Sequence, residues 1–138
     1  MSLHNIFDIS GSALSAQSVR LNTTASNMAN AESVSSSVNE TYKARHPVFS
    51  AVYESLSGSK YSGAGVNVLG VVESAAEPRV KYQPENPLSD ENGNVFLPNV
   101  NIVEEMANMI SASRNYQANV EIANTAKTLI QRTLNLGQ

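Results

Sequence analysis

The chain has 138 residues, with 9 Lys or Arg against 12 Asp or Glu, a formal net charge of −3, no cysteine and no tryptophan. A disulfide framework, a thiolate metal site and a cysteine nucleophile are therefore excluded. The basic residues are scattered, which excludes the basic stripe that a nucleic-acid surface needs.

The length suits one domain, but aromatic residues are few and much of the apolar content is alanine. A small domain of this kind buries proportionally little surface, so a monomer that is marginal alone and completed by neighbours is expected. No stretch approaches the roughly 18 consecutive apolar residues of a spanning helix, so no direct membrane insertion is expected. The first basic residue is Arg20, and without a charged leader no cleaved secretory signal is expected.

The first segment, residues 1–31, carries Leu3, Phe7, Leu14, Leu21 and Met28 at helical spacing. A seven-residue apolar repeat keeps one seam on one face of a helix and favours supercoiling against another. The segment is also crowded with Ser, Thr and Asn, which are mediocre helix formers. It is expected to stay largely disordered in the free monomer and to become helical when a partner covers its seam. An ordinary surface helix is the plainer reading. Ala13, Ala16, Ser18 and Ala25 are small enough to let a neighbouring helix approach closely.

The middle, residues 32–100, opens with Ser- and Asn-rich loop chemistry over 30–39. Residues 42–53 read as one or two strands interrupted at Pro47, and 55–65 as a flexible Gly/Ser stretch. Residues 66–72 are the strongest strand, rich in β-branched side chains, and 79–82 alternate as a half-buried strand does. Beyond Pro84 and Pro87, Asn92–Gly93 signals a tight turn between Leu88 and the strand-like 95–97. A compact β-rich insert follows from these elements.

The last segment, residues 101–138, begins at a candidate N-cap, Asn101, with Glu104 three residues later as in a capping box. Glu104 and Glu105 lie in the first turn, and Lys127 and Arg132 near the end, complementing the helix dipole. Gly137 is a candidate stop. Met106, Val120 and Leu134 alternate with Met109, Tyr116, Ala123 and Ile130 along a seam that Ser113 and Lys127 interrupt. Polar breaks of that kind specify register or partner. The fold class expected is α+β: long N- and C-terminal helices forming a coiled-coil-like core, with a small β-rich middle.

No enzyme chemistry emerges. His4 and His46 lack metal-ligand spacing. Glu104 and Glu105 are adjacent on a helix and do not face each other. Gly63–Ala64–Gly65 precedes a strand rather than a helix, so it is no dinucleotide fingerprint. No catalytic residue, cofactor site or metal site is expected, and a cell-wall hydrolase has no paired acids to work with.

The residues do carry a family resemblance. Asn5–Ile6–Phe7–Asp8–Ile9–Ser10–Gly11–Ser12–Ala13–Leu14 and Ala25–Ser26–Asn27–Met28–Ala29–Asn30–Ala31 resemble the opening of the bacterial flagellar proximal-rod proteins called FlgC. The similarity returns at 82–88 and 98–106. It is strongest at Ser111–Ala112–Ser113–Arg114–Asn115–Tyr116–Gln117–Ala118–Asn119–Val120 and at the ending Thr133–Leu134–Asn135–Leu136–Gly137–Gln138.

The resemblance implies a non-enzymatic rod subunit that packs its terminal helices around a central export channel, with the β-rich middle outside. Its implied partners are other rod proteins, copies of itself, the base of the rod near the inner-membrane ring and the type III export apparatus. The implied location is the periplasmic rod of the basal body. Asn27 and Asn30 join the seam residues as candidate assembly contacts. A coiled-coil tube or adaptor subunit of another secretion or phage-like machine is the alternative.

Overall fold

A computed structural model describes residues 3–53 and 64–136. Its elements run α1 (Leu3–Asn30), β1 (Arg45–Tyr53), β2 (Ala64–Glu73), β3 (Arg79–Tyr82), β4 (Asn94–Leu97) and α2 (Ile102–Leu136). The expected Gly/Ser stretch, save its last two residues, and the candidate stop at Gly137 lie outside the described residues.

The long helices pair antiparallel. Arg20 Nη2 donates to Asn108 Oδ1 (3.0 Å), and Asn27 Nδ2 to Glu105 Oε1 (3.1 Å), so numbers rise along α1 as they fall along α2. The start of α2 is capped as its sequence requires, with Val103 N–H donating to Asn101 Oδ1 (3.1 Å). With 28 residues in α1 and 35 in α2, the rise per residue leaves about 10 Å of α2 projecting past the first turn of α1.

β1 and β2 form an antiparallel hairpin that lies against α1. β1 runs through Pro47, which pairs with Val71, and the ladder shifts only between Val48 and Phe49. This corrects the expected interruption at Pro47: a two-stranded sheet has only edge strands, the setting in which proline is tolerated. The hairpin is tied to the helix by Val66 N–H, which donates to Ser12 Oγ (3.1 Å).

β3 and β4 form a second antiparallel pair. The turn at Asn92–Gly93 is present, with Asp90 Oδ1 accepting from Asn92 N–H (2.9 Å) and Asn94 N–H (2.8 Å). Its strand β4 pairs with β3, however, and not with the segment around Leu88. Gly93 has φ +78°, and a Cβ there would lie 2.9 Å from Tyr82 Cε2 and 3.1 Å from Pro84 Cβ. Gly93→Ala is expected to cost about 1–2 kcal/mol for a left-handed residue with a crowded side chain, read as a lower melting temperature with unchanged helix content.

Two-stranded sheets are marginal alone, and here both are stitched to the helical hairpin at one end. Ala31, Ala44 and Val100 form a small buried cluster beneath Tyr42. Arg79 reaches across it, donating from Nε to Pro98 C=O (3.0 Å) and from Nη2 to Ala31 C=O (3.1 Å). Asn99 accepts from Ala44 N–H (2.8 Å) and donates to Ala76 C=O (2.7 Å). Ser35 bridges Phe96 through both backbone groups. The core thus sits where the last turn of α1, the first turn of α2 and the strand ends meet.

Candidate assembly interface

The line of α1 that faces α2 is small and polar. Ser10, Thr24 and Ala31 are buried on one seven-residue repeat with half-buried Gln17, and Ala16 and Asn27 are buried beside it. On α2 the matching repeat is Glu105, Ala112, Asn119 and Ala126, of which only Asn119 is not fully buried. Small side chains let two helices approach closely but bury little apolar area, at about 25 cal/mol per Å². Gln17 Oε1 is buried without a hydrogen-bond partner, which weakens the pairing further.

The large apolar residues of the expected seams sit on the flanks. Phe7, Leu14, Leu21 and Met28 are each half-buried, as are Met109, Val120, Ala123 and Ile130 and the polar Ser113. Met106, Tyr116, Lys127 and Leu134 are exposed, Leu134 by 67%. Leu3 stands in the first turn of α1. The line buried within the chain keeps a seven-residue period, on positions other than those of Phe7, Leu14, Leu21 and Met28.

Beyond the flanks lies apolar surface that the chain leaves uncovered. Val103, Met106 and Ile110 follow one another at spacings of three and four on the first three turns of α2, and Val103 is 75% exposed. Leu129 and Leu134 are exposed towards the other end of the helix. The β1–β2 hairpin adds Phe49, Val52, Leu69 and Val72. Contiguous apolar patches of this kind mark protein–protein contacts.

One polar cluster ties these surfaces to the fold. Asn27 has 0% relative exposure and fills all four of its hydrogen-bonding positions. Its Oδ1 accepts from Tyr42 Oη–H (2.9 Å) and from Arg45 N–H (2.9 Å). Its Nδ2 donates to Arg45 C=O (2.8 Å) and to the carboxylate of Glu105 (3.1 Å). Two donors meet the oxygen and two acceptors meet the nitrogen, which fixes the orientation of the amide. Glu105 is 4% exposed, in the first turn of α2, where the helix dipole favours a negative charge. Arg45 stacks its guanidinium over the Tyr42 ring (5.5 Å) and pairs with Glu73 (3.2 Å) at the surface.

Of the two asparagines singled out in the sequence, Asn27 is this central residue, and Asn30 donates within its own helix to Ser26 C=O (2.8 Å). Glu105 and Tyr42 were not singled out as site residues. The signal for Glu105 was its place on the repeat with Ala112, Asn119 and Ala126. Tyr42 left no local signal, since its partner lies 15 residues away. Among the described residues no group of three or more His, Cys, Asp or Glu could hold a metal ion, and no helix is long and apolar enough to cross a membrane.

Two family models match the chain, one over most of α1 and one over β4 and α2. Residues 7–34 match the flagella basal body rod protein family, and residues 91–136 match the C-terminal family of flagellar basal body rod FlgEFG proteins. Over its whole length, and the whole length of each relative, the chain is 51% identical to the flagellar basal-body rod protein FlgC of Salmonella typhimurium and 52% identical to that of Yersinia enterocolitica. The FlgC protein of Buchnera aphidicola from Schizaphis graminum is 45% identical over the same full extent. Likeness from end to end decides for a structural rod protein over an enzyme, and over an adaptor of another machine. The chain belongs to the FlgC family of flagellar basal-body rod proteins.

Proposed function

We propose that this rod subunit builds the proximal part of the rod, packing its helical hairpin against other rod proteins and copies of itself around the export channel. The observation that carries this reading is the division of labour on α2. The line that meets α1 is small and polar, while Val103, Met106, Ile110, Leu129 and Leu134 point away from it. Helices that spend their small residues inside the subunit keep their large ones for neighbours. A heterologous contact that does not close produces an open helical assembly, the form a rod requires.

In this reading Leu3, Phe7, Leu14, Leu21 and Met28, with Met106, Met109, Tyr116, Val120, Ala123, Ile130 and Leu134, make contacts between subunits along the flanks of the hairpin. Ser113 and Lys127 supply polar contacts among them. The subunit stands in the periplasmic part of the basal body, at the base of the rod near the inner-membrane ring. It reaches that place through the type III export apparatus.

Order spreads outward from the polar cluster. Near Asn27 the helices are pinned by buried hydrogen bonds, whereas in the far halves only the small Ser10, Ala16 and Ala126 are fully buried among the described residues. Segments that bury too little surface when free order on binding instead. Hydrogen exchange on the purified chain tests this. Amides of 24–31 and 102–112 are expected to be protected, and those of 5–15 and 117–134 to exchange rapidly until neighbouring rod subunits are added. Uniform strong protection in the free monomer, or no gain on mixing, counts against the reading.

A further inference from the structure

We infer that Asn27 sets the register in which the two terminal helices pair, and that it does so only with the start of β1 in place. The rest of the shared seam is nearly degenerate. Ser10 and Thr24 lie on the buried line of α1 and Ala112 and Ala126 on that of α2, so sliding α2 by seven residues presents small side chains to small side chains again. Shape alone discriminates poorly between such pairings.

The polar cluster does discriminate. In the native register Asn27 meets Glu105; after a slip of one repeat it meets Ala112, and the buried carboxylate is left without its donor. A single buried polar contact in a helical seam is the best-attested device for choosing a register. Three of the four bonds of Asn27 go to Tyr42 and Arg45, and only the last goes to α2. The strand start therefore aims the amide before α2 arrives, and one N–H is left to select Glu105. The middle region acts as a template for the terminal helices as well as a passenger on them. This inference rests on the fold of one chain and not on its place in a rod.

The absence of cysteine from the sequence makes a clean test possible. Arg20 and Asn108 touch across the seam in the native register, and Asn115 takes the place of Asn108 after a slip of one repeat. Two double-cysteine chains, R20C with N108C and R20C with N115C, are cross-linked at low concentration with a short bis-maleimide. The native pair is expected to react at least about tenfold faster than the slipped pair, because the slipped register leaves a buried polar group unpaired.

The same two pairs are then placed in an N27L/E105L background, which removes the buried carboxylate together with its donor, where Asn27→Leu alone would leave a buried charge unpaired. Helical circular dichroism is expected to persist while the preference falls to within about twofold. A tenfold preference that survives in this background overturns the inference. So does a parent chain that cross-links both pairs equally, or neither. Loss of helix content in the apolar background without any rise of the slipped product also overturns it, because Asn27 would then contribute stability alone.

Discussion

Asn27→Ala is expected to lower the stability of the chain by about 3 kcal/mol, since each buried polar group left unpaired costs roughly 1–3 kcal/mol and relaxation recovers part of the sum. The substitution removes no large apolar surface, so a simple burial argument predicts almost nothing. What it removes is the partner of Arg45 N–H, Arg45 C=O, the Tyr42 hydroxyl and the Glu105 carboxylate at once. Tyr42 keeps its contact with Ser26 Oγ (3.2 Å), and the Arg45 groups and Glu105 bear the loss. Small domains hold only about 5–15 kcal/mol in all, and this one has a thin core, so thermal unfolding followed by circular dichroism should fall by about 10 °C.

A paired substitution separates hydrogen bonding from volume. Asn27→Asp preserves shape but turns the donor into a carboxylate oxygen facing Glu105 and the Arg45 carbonyl. It is expected to be at least as damaging as alanine. Adding Glu105→Gln returns a donor across the seam and should recover about 1 kcal/mol, the worth of one restored bond. A loss below about 1 kcal/mol for Asn27→Ala would mean that water or a rearranged strand start satisfies these groups, and the cluster would lose its central place.

The history of Asn27 shows what a sequence discloses and what it withholds. The β2 strand was legible from Val66, Val68, Val71 and Val72 because β-branched residues bounded by turn chemistry need no distant partner to be recognised. The start of α2 was legible for the same reason: Asn101 caps its own helix. The seven-residue periods of both helices were legible too. Their phase was not, and the cause is physical. Apolar periodicity reports all the burial that a helix undergoes, within the subunit and between subunits together. The large residues Phe7, Leu14, Leu21 and Met28 therefore outline a seam that the single chain only half covers. The line that the chain does bury, Ser10 to Thr24 and Glu105 to Ala126, is too small and too polar to register as a seam. Glu105 reads in the sequence as a residue for the helix dipole, and its partner, an asparagine 78 positions away, leaves no local signal.

That separation between covered and uncovered faces leads to the second large effect. Val103→Asp with Ile110→Asp is expected to leave the isolated chain folded and to abolish rod assembly. Both residues are exposed on the outer face of α2, away from Glu105 and Ala112, and surface substitutions of this kind usually change stability by no more than about 0.5 kcal/mol. In a contact between subunits the same residues would be buried, where each large apolar side chain is worth about 1.5–3 kcal/mol and an unpaired carboxylate costs more. Two such sites together correspond to a loss of binding of more than about a thousandfold. Motility on soft agar, and recovery of the subunit in purified basal bodies, are the readouts. Glu121→Gln is the matched control: an exposed change elsewhere on the same helix, expected to leave both intact. A motile strain carrying both aspartates would show that this stripe of α2 faces solvent in the rod, and assembly would then have to rest on the half-buried flanks of the hairpin and on β1 and β2.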